Sequence, residues 1–249
     1  MRRVVPKAAQ LSAAAMKKRW WRDLYKEGQD AFTLPDVNPY LQQHWLRLSG
    51  AAAAGASSSA PPRRCLVPLC GRDISLTWIA AQPGWGVVGV DYADDALRLF
   101  GGETGGIVPL GGEDGESFCA FQSSRYPRLL LVHGDFLALS LEHYGGQFEA
   151  AWDRGGITSM GSPQERVSYA SKLGSLLAPG GRLLLEMLDT NIAMEGACAQ
   201  QEAIMALEAV GLRVEHLGAH DVRGSYPHFN PPGLKHLNEV VLLAEKPLT

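Results

Sequence analysis

Short apolar runs alternate with helical segments along this chain, punctuated by Gly, Pro and polar clusters. Residues 7–27 are dominated by Ala, Leu, Met, Lys and Arg, which predicts a helix, and Gly28 is placed to stop it. Pro39 to Leu48 predicts a second helix with Leu41, Trp45 and Leu48 on one face. Cys65 to Leu69 reads as a strand, Cys70-Gly71 as a turn, and Ile74 to Ala81 as a helix that Pro83-Gly84 breaks. Val87, Val88 and Val90 make the second strand, which ends in Asp91. Strand, glycine turn, helix, strand and terminal acid is how a nucleotide-binding half begins, and Asp91 lies 20 residues after Gly71, the usual separation for a ribose-binding acid.

The alternation continues downstream. A short helix is expected at Ala93 to Phe100, then a Gly- and Ser-rich excursion from Gly101 to Tyr126. That excursion reads as a hairpin with a strand candidate at Ser117 to Phe121. The third and fourth strands are expected at Arg128 to Val132 and Phe148 to Trp152. Ser162-Pro163-Gln164-Glu165 is a helix start, with a capping Ser, Pro at the first position and Glu at the third. That helix should run to Leu177 and end at Pro179-Gly180-Gly181. Leu183 to Leu188 reads as a fifth strand buried on both faces, from its apolar run. After a helix at Ala197 to Ala209, two strands at Leu212 to Ala219 and His236 to Ala244 have no helix between them and should pair antiparallel. The expected fold is α/β and doubly wound, Rossmann-like. Its mostly parallel seven-stranded sheet carries one reversed strand at the end, and an N-terminal helical cap is added. Residues 1–49 are assigned to that cap, 50–62 (GAAAAGASSSAPP) to a flexible linker and 63–249 to the main domain.

Composition narrows the classes. An apolar content of 46% over 249 residues supplies an ample core, and a net charge of −3 without charged blocks gives no reason to expect nucleic acid. Cys65, Cys70, Cys119 and Cys198 form no CxxC pair and no Cys/His metal spacing, so a metal-free cytoplasmic protein with reduced thiols is expected. No apolar run reaches membrane-spanning length. The basic, Ala-rich opening stretch resembles a transit peptide in composition but runs into Trp20-Trp21 without a cleavage-type break; an amphipathic helix is preferred. A cap covering the antiparallel end of the sheet would favour a monomer.

Candidate chemistry gathers at the predicted strand ends. The turn Pro68-Leu69-Cys70-Gly71-Arg72 has a single glycine, which permits close approach but does not cradle two phosphates. An adenosyl cofactor without phosphate fits better than a dinucleotide, and S-adenosylmethionine is the natural choice. Asp91 would accept from the ribose diol; its structural alternative is a helix cap. In His133-Gly134-Asp135-Phe136, Asp135 would meet the adenine amine and Phe136 would flank the ring, or the segment is an Asx turn with Phe136 in the core. Asp153 and Arg154 close the fourth strand and point at the same crevice, unless they form a structural ion pair.

The stretches WRDLYKEGQDAF, LVPLCGRDISLTWIA, VVGVD, GDF and WDRGGITSM, in this order between Trp20 and Leu188, resemble the thiopurine S-methyltransferase family. The resemblance implies a class I methyltransferase with S-adenosylmethionine as methyl donor. It implies that Trp21 and Phe32 fold over the cofactor and that Leu69, Asp91, Gly134, Asp135 and Arg154 lie at cofactor positions, to which the turn itself adds Gly71. Aromatic faces attract a sulfonium, so Trp21, Phe32 or Trp152 suits that role, while Arg154 has the planar fork for a carboxylate. The implied acceptor is a small thiol, thiopurine-like. Such a thiol is largely ionised near neutrality, so a strong base is not required; Asp153 and His133 are the candidates if one is used. The segment Asp189 to Gly196 lacks the proline-rich loop expected near the acceptor, which leaves open the acceptors of the wider superfamily: halide, hydrogen sulfide, or selenium and tellurium species. A dehydrogenase, or a binding protein without turnover, are the readings from other classes.

Overall fold

The computed structural model describes residues 13–30, 32–50, 61–111, 118–192, 198–224 and 231–248. The start of the expected first helix (7–12), most of the Ala/Ser linker (51–60), the middle of the Gly-rich excursion (112–117) and residues 193–197 after the fifth expected strand lie outside that set.

Helix α1 spans Ala13–Lys26 and α2 spans Pro39–Ser49. The start of α2 is set chemically: Asn38 Oδ1 accepts from the amides of Tyr40 (2.9 Å) and Leu41 (3.2 Å), and Pro39 takes the first helical position, where no N–H is needed. There follow β1 (Arg63–Pro68), α3 (Ser75–Ala81), β2 (Trp85–Asp91) and α4 (Asp94–Thr104). Next come β3 (Ile107–Gly111), β4 (Phe118–Ser123), β5 (Leu129–Gly134) and β6 (Phe148–Arg154). The chain closes with α5 (Pro163–Leu176), β7 (Leu177–Thr190), α6 (Gln200–Ala209), β8 (Arg213–Asp221) and β9 (Leu237–Glu245).

Among the described residues the strands form one nine-stranded sheet in the order β3-β4-β5-β2-β1-β6-β7-β9-β8. The run β5-β2-β1-β6-β7 is parallel. The chain leaves β1 toward β2 and β5, then returns to β6 and β7 on the other side, so the strand order reverses between β1 and β6. Two expectations are corrected. The sheet has nine strands rather than seven, because the Gly-rich excursion supplies β3 and β4, an antiparallel pair that extends the β5 edge. The reversed final strand, β9, does not sit at the edge: it inserts between β7 and β8, antiparallel to both. Nor does Pro179-Gly180-Gly181 merely end a helix. It lies within β7, where the Gly180 amide bonds Lys246 O and the Lys246 amide bonds Gly181 O, both at 2.9 Å.

The period-two alternation of each strand divides the core into two layers. Cys65, Val67, Leu131, Trp152, Leu184 and Val241 face one side with Leu41, Trp45 and Leu48 of α2, Leu76 and Ile79 of α3 and Phe100 of α4. Leu66, Val88, Val90, Leu183 and Leu185 face the other, against Tyr169 and Leu173 of α5 and Ala203 and Leu207 of α6. The segment expected as one cap therefore splits: α2 belongs to a helical layer of the sheet, with Trp45 edge-on to Trp78 and Trp85 at 5.3 and 5.2 Å, while α1 packs beside α4.

Candidate active site

The site begins with the backbone after β1. Leu69 has φ 47° and Gly71 φ 51°, so the chain reverses through two left-handed positions. For a leucine this conformation costs about 1–2 kcal/mol, and the surrounding bonds must hold it. One of them joins the Cys70 amide to Val90 O at 2.9 Å. Asp91 supplies another: its Oδ2 accepts from the Gly71 amide (2.7 Å) and its Oδ1 from the Ala93 amide (2.8 Å). One carboxylate thus ties the turn after β1 to the start of α4. Burial pushes its carboxyl above the usual range, and the backbone N–H groups oppose that shift. An ionised carboxylate offers about four lone-pair sites, so acceptor capacity remains on the cavity side.

The sequence reading had a ligand approaching Gly71. The structure puts the Tyr25 hydroxyl there instead: a Cβ on Gly71 would lie 2.0 Å from it. Tyr25 and Phe32 meet edge-on at 5.7 Å, and Phe32 meets Trp21 at 5.4 Å. The segment carrying Phe32 is fastened to the turn by the Arg72–Asp30 ion pair.

These elements enclose a cavity of about 610 Å³ at the carboxyl ends of β1, β2, β5, β6 and β7. That volume is mid-range for small-molecule sites, roughly 300–1,000 Å³. Trp21, Phe32, Leu69, Asp91, Asp135, Phe136 and Arg154 line it, together with Lys18, Tyr25, Asp73 and Glu186. Asp135 holds the Leu137 amide at 3.1 Å, an Asx turn, and Lys18 of α1 at 2.5 Å. Phe136 is 2% exposed and packs on Tyr169 at 5.2 Å, so it forms both core and cavity wall.

Five sequence candidates are not among the lining residues. Gly71 lies under Tyr25, and Gly134 ends β5 just before Asp135, which lines the cavity. Asp153 is 0% exposed, and its Oδ1 accepts from the Gly156 amide at 2.7 Å. Gly156 has no room for a side chain, since a Cβ would meet Tyr169 Oη at 2.2 Å and Asp153 Oδ1 at 2.4 Å. Burial raises the Asp153 carboxyl to about 6, but it sits beneath the cavity as a loop-holding group, which corrects its assignment as catalytic. Trp152 is also fully buried, with Nε1 donating to Asp73 Oδ2 at 3.1 Å. His133, the other base candidate, does not itself line the cavity; its Nε2 lies 3.1 Å from the carbonyl oxygen of Tyr92, which does.

Arg154 is not paired with Asp153. Its Nη1 donates to Phe32 O at 2.9 Å and its Nε lies 3.0 Å from Glu186 Oε2. Adjacent positions on β6 and β7 produce that pair, for Arg154 and Glu186 are directly in register. Glu186 was not among the sequence candidates, although an acid inside the run Leu183 to Leu188 is a visible signal. Lys18 and Tyr25 left no comparable mark, because their partners lie more than forty residues away. Among the described residues, no cluster of three or more His, Cys, Asp or Glu is arranged to hold a metal, and no helix is long and apolar enough to cross a membrane.

A mostly parallel sheet with a reversed strand between its last parallel neighbours, and a cavity over its strand-order reversal, defines the class I methyltransferase architecture. A 1,6-didemethyltoxoflavin-N1-methyltransferase from Burkholderia thailandensis has this fold, with a TM-score of 0.59 at 17% identity over 97% of this chain and 94% of that one. A Methanosarcina mazei S-adenosylmethionine-dependent methyltransferase gives a TM-score of 0.54 at 16% identity, over 86% and 100%. The model of the thiopurine S-methyltransferase family matches residues 16–247, and the chain belongs to that family. It is an S-adenosylmethionine-dependent methyltransferase. Thiopurine S-methyltransferases of Pseudomonas aeruginosa and Pseudomonas fluorescens are 32% and 33% identical to it, over 93% and 91% of this chain and 100% and 97% of theirs.

Proposed function

We propose that this chain methylates a small sulfur nucleophile of the thiopurine-like kind, with the adenosyl cofactor laid along the ends of β2 and β5. The observation that carries the reading is Asp91: a buried carboxylate at the end of β2, fixed by two backbone amides, on the wall of a cavity of suitable size. The cofactor, when bound, supplies an electrophilic methyl on a positively charged sulfur.

This chain's residues do the rest by position. Asp91 accepts from the ribose hydroxyls with its remaining lone pairs. Asp135 accepts from the adenine amine, sharing its carboxylate with Lys18. Phe136 forms the wall beside the base. Trp21 and Phe32, already edge-on to each other, present aromatic surface to positive charge and close the cavity to water. Arg154 is held by Phe32 O and Glu186 with its guanidinium at the cavity wall, where it attracts a carboxylate. Catalysis then consists chiefly of aligning acceptor, methyl and leaving sulfur.

A methylation assay with thiols, thiopurines, halide and selenide tests the reading. Turnover of thiols above the others is expected; turnover of halide or selenide alone overturns the acceptor class. A thermal-shift comparison accompanies it, in which S-adenosylhomocysteine stabilises the protein and NAD does not.

A further inference from the structure

Glu186 is an acid of this cavity that the cofactor leaves unemployed. It sits at the carboxyl end of β7, three strand positions from Asp91 on β2, or about 14 Å at the usual spacing of neighbouring strands. With the ribose at Asp91 and the donor's carboxylate at Arg154, the β7 side of the cavity, where Glu186 sits, is left to the acceptor. The side chain is 4% exposed and lines the cavity. Both its contacts fall on one oxygen: Asn38 Nδ2 donates to Oε2 at 3.1 Å, and Arg154 Nε lies 3.0 Å from the same atom. No hydrogen bond engages Oε1 among the described residues. The other acids on the wall have both oxygens occupied or are fixed by backbone amides: Asp73 holds the Ser75 amide and Trp152 Nε1, Asp91 two amides, Asp135 Lys18 and an amide, and Glu165 the Gly161 amide at 2.6 Å.

We propose, resting on the sulfur-acceptor reading above, that Glu186 is the general base for acceptors that arrive as neutral thiols. The S–H proton passes to Oε1. The sulfur electron pair forms the new bond to the methyl carbon, the bond from that carbon to the donor sulfonium breaks, and its electron pair stays on the donor sulfur. One negative carboxylate and one positive sulfonium become a carboxylic acid and two neutral thioethers, so charge balances. The proton leaves to water when product departs. The surroundings suit such a group. Burial raises the Glu186 carboxyl to about 7, with Glu239 on β9 and Asp73 before α3 acting the same way, while Arg154 on β6 and the Asn38 hydrogen bond oppose them. A carboxylate balanced there takes a proton at neutral pH and releases it again.

Two acceptors separate the outcomes: 2-mercaptoethanol, which is mostly protonated at pH 7, and thiophenol, which is mostly ionised. Glu186→Gln should lower kcat/KM for 2-mercaptoethanol at least 100-fold more than for thiophenol, within the range of roughly 10²–10⁴ for general bases. In the wild type, kcat/KM for 2-mercaptoethanol should level off near pH 7 instead of rising toward the thiol's own ionisation, a readout that stands even if the variant folds poorly. In donor-free protein, carboxyl ¹³C NMR should find a group titrating near pH 7 that is missing from Glu186→Gln. An equal loss for both thiols, a profile that follows the thiol's own ionisation, or a Glu186 signal titrating as an ordinary carboxylate overturns the proposal and leaves the acceptor class standing. A wild type that methylates neither thiol overturns this inference, and one that methylates no thiopurine either overturns the acceptor class with it.

Discussion

At the level of single residues, Gly71 and Gly156 mark where the site tolerates no side chain. Gly71 has φ 51° and carries the Tyr25 hydroxyl where a Cβ would be. Gly71→Ala should lose about 1–3 kcal/mol in urea unfolding, the usual cost of overpacking. Tyr25→Phe in that background should recover part of the loss by removing the nearest atom; no recovery would show that φ alone sets the cost. Asp153 gives a pH test. Its folded carboxyl is raised from the ordinary 3.8 to about 6, so the stability it contributes is present below the ordinary value and is lost as pH climbs toward 6. The difference in Tm between Asp153→Asn and wild type should therefore shift in favour of the variant between about pH 4 and pH 7. A difference that stays constant would mean that the carboxyl titrates normally. Asp91 was legible in the sequence because an acid ends an apolar strand. Glu186 carried a similar signal but was absorbed into a run read as wholly apolar. Lys18 on Asp135 and Tyr25 on Gly71 were not legible, since nothing local to either residue names a partner across the cavity.

Elements were legible where local chemistry decides them. The cap of α2 by Asn38 and Pro39, the Ser162-Pro163 start of α5 and the valines of β2 all follow from their own neighbourhoods. Placement was harder wherever pairing depends on distant chain. β9 displaces β8 from the neighbourhood of β7 through a nine-residue register with β7, which no period in either strand announces. The β3–β4 pair lies in a Gly- and Ser-rich stretch whose weak alternation gave one strand and only a guess at its partner. The N-terminal segment looked like a single unit, yet α2 docks into the sheet layer and α1 does not. That division predicts that Trp45→Ala, which empties the contact with Trp78 and Trp85, destabilises the whole domain by about 3–5 kcal/mol. A single cooperative unfolding transition at lower urea is expected; loss of only a small early transition would mean that α2 is a detachable cap.

At the scale of the molecule, the sheet's change of direction between β1 and β6 leaves a crevice, and the chain spends its N-terminal aromatic residues covering it. The family relation accounts for the methyl donor, and the geometry divides the cavity into a β2–β5 end with Asp91 and Asp135 and a β6–β7 end with Arg154 and Glu186. The division depends on where the ribose lies. Calorimetric titration of S-adenosylhomocysteine into wild type and Asp91→Ala tests it most directly, with the variant's Tm recorded alongside. Loss of two charge-assisted hydrogen bonds, each worth roughly 1.5–3 kcal/mol, predicts a fall in affinity of at least a hundredfold in a variant that still melts cooperatively. A folded Asp91→Ala protein that binds S-adenosylhomocysteine as tightly as wild type would contradict the account.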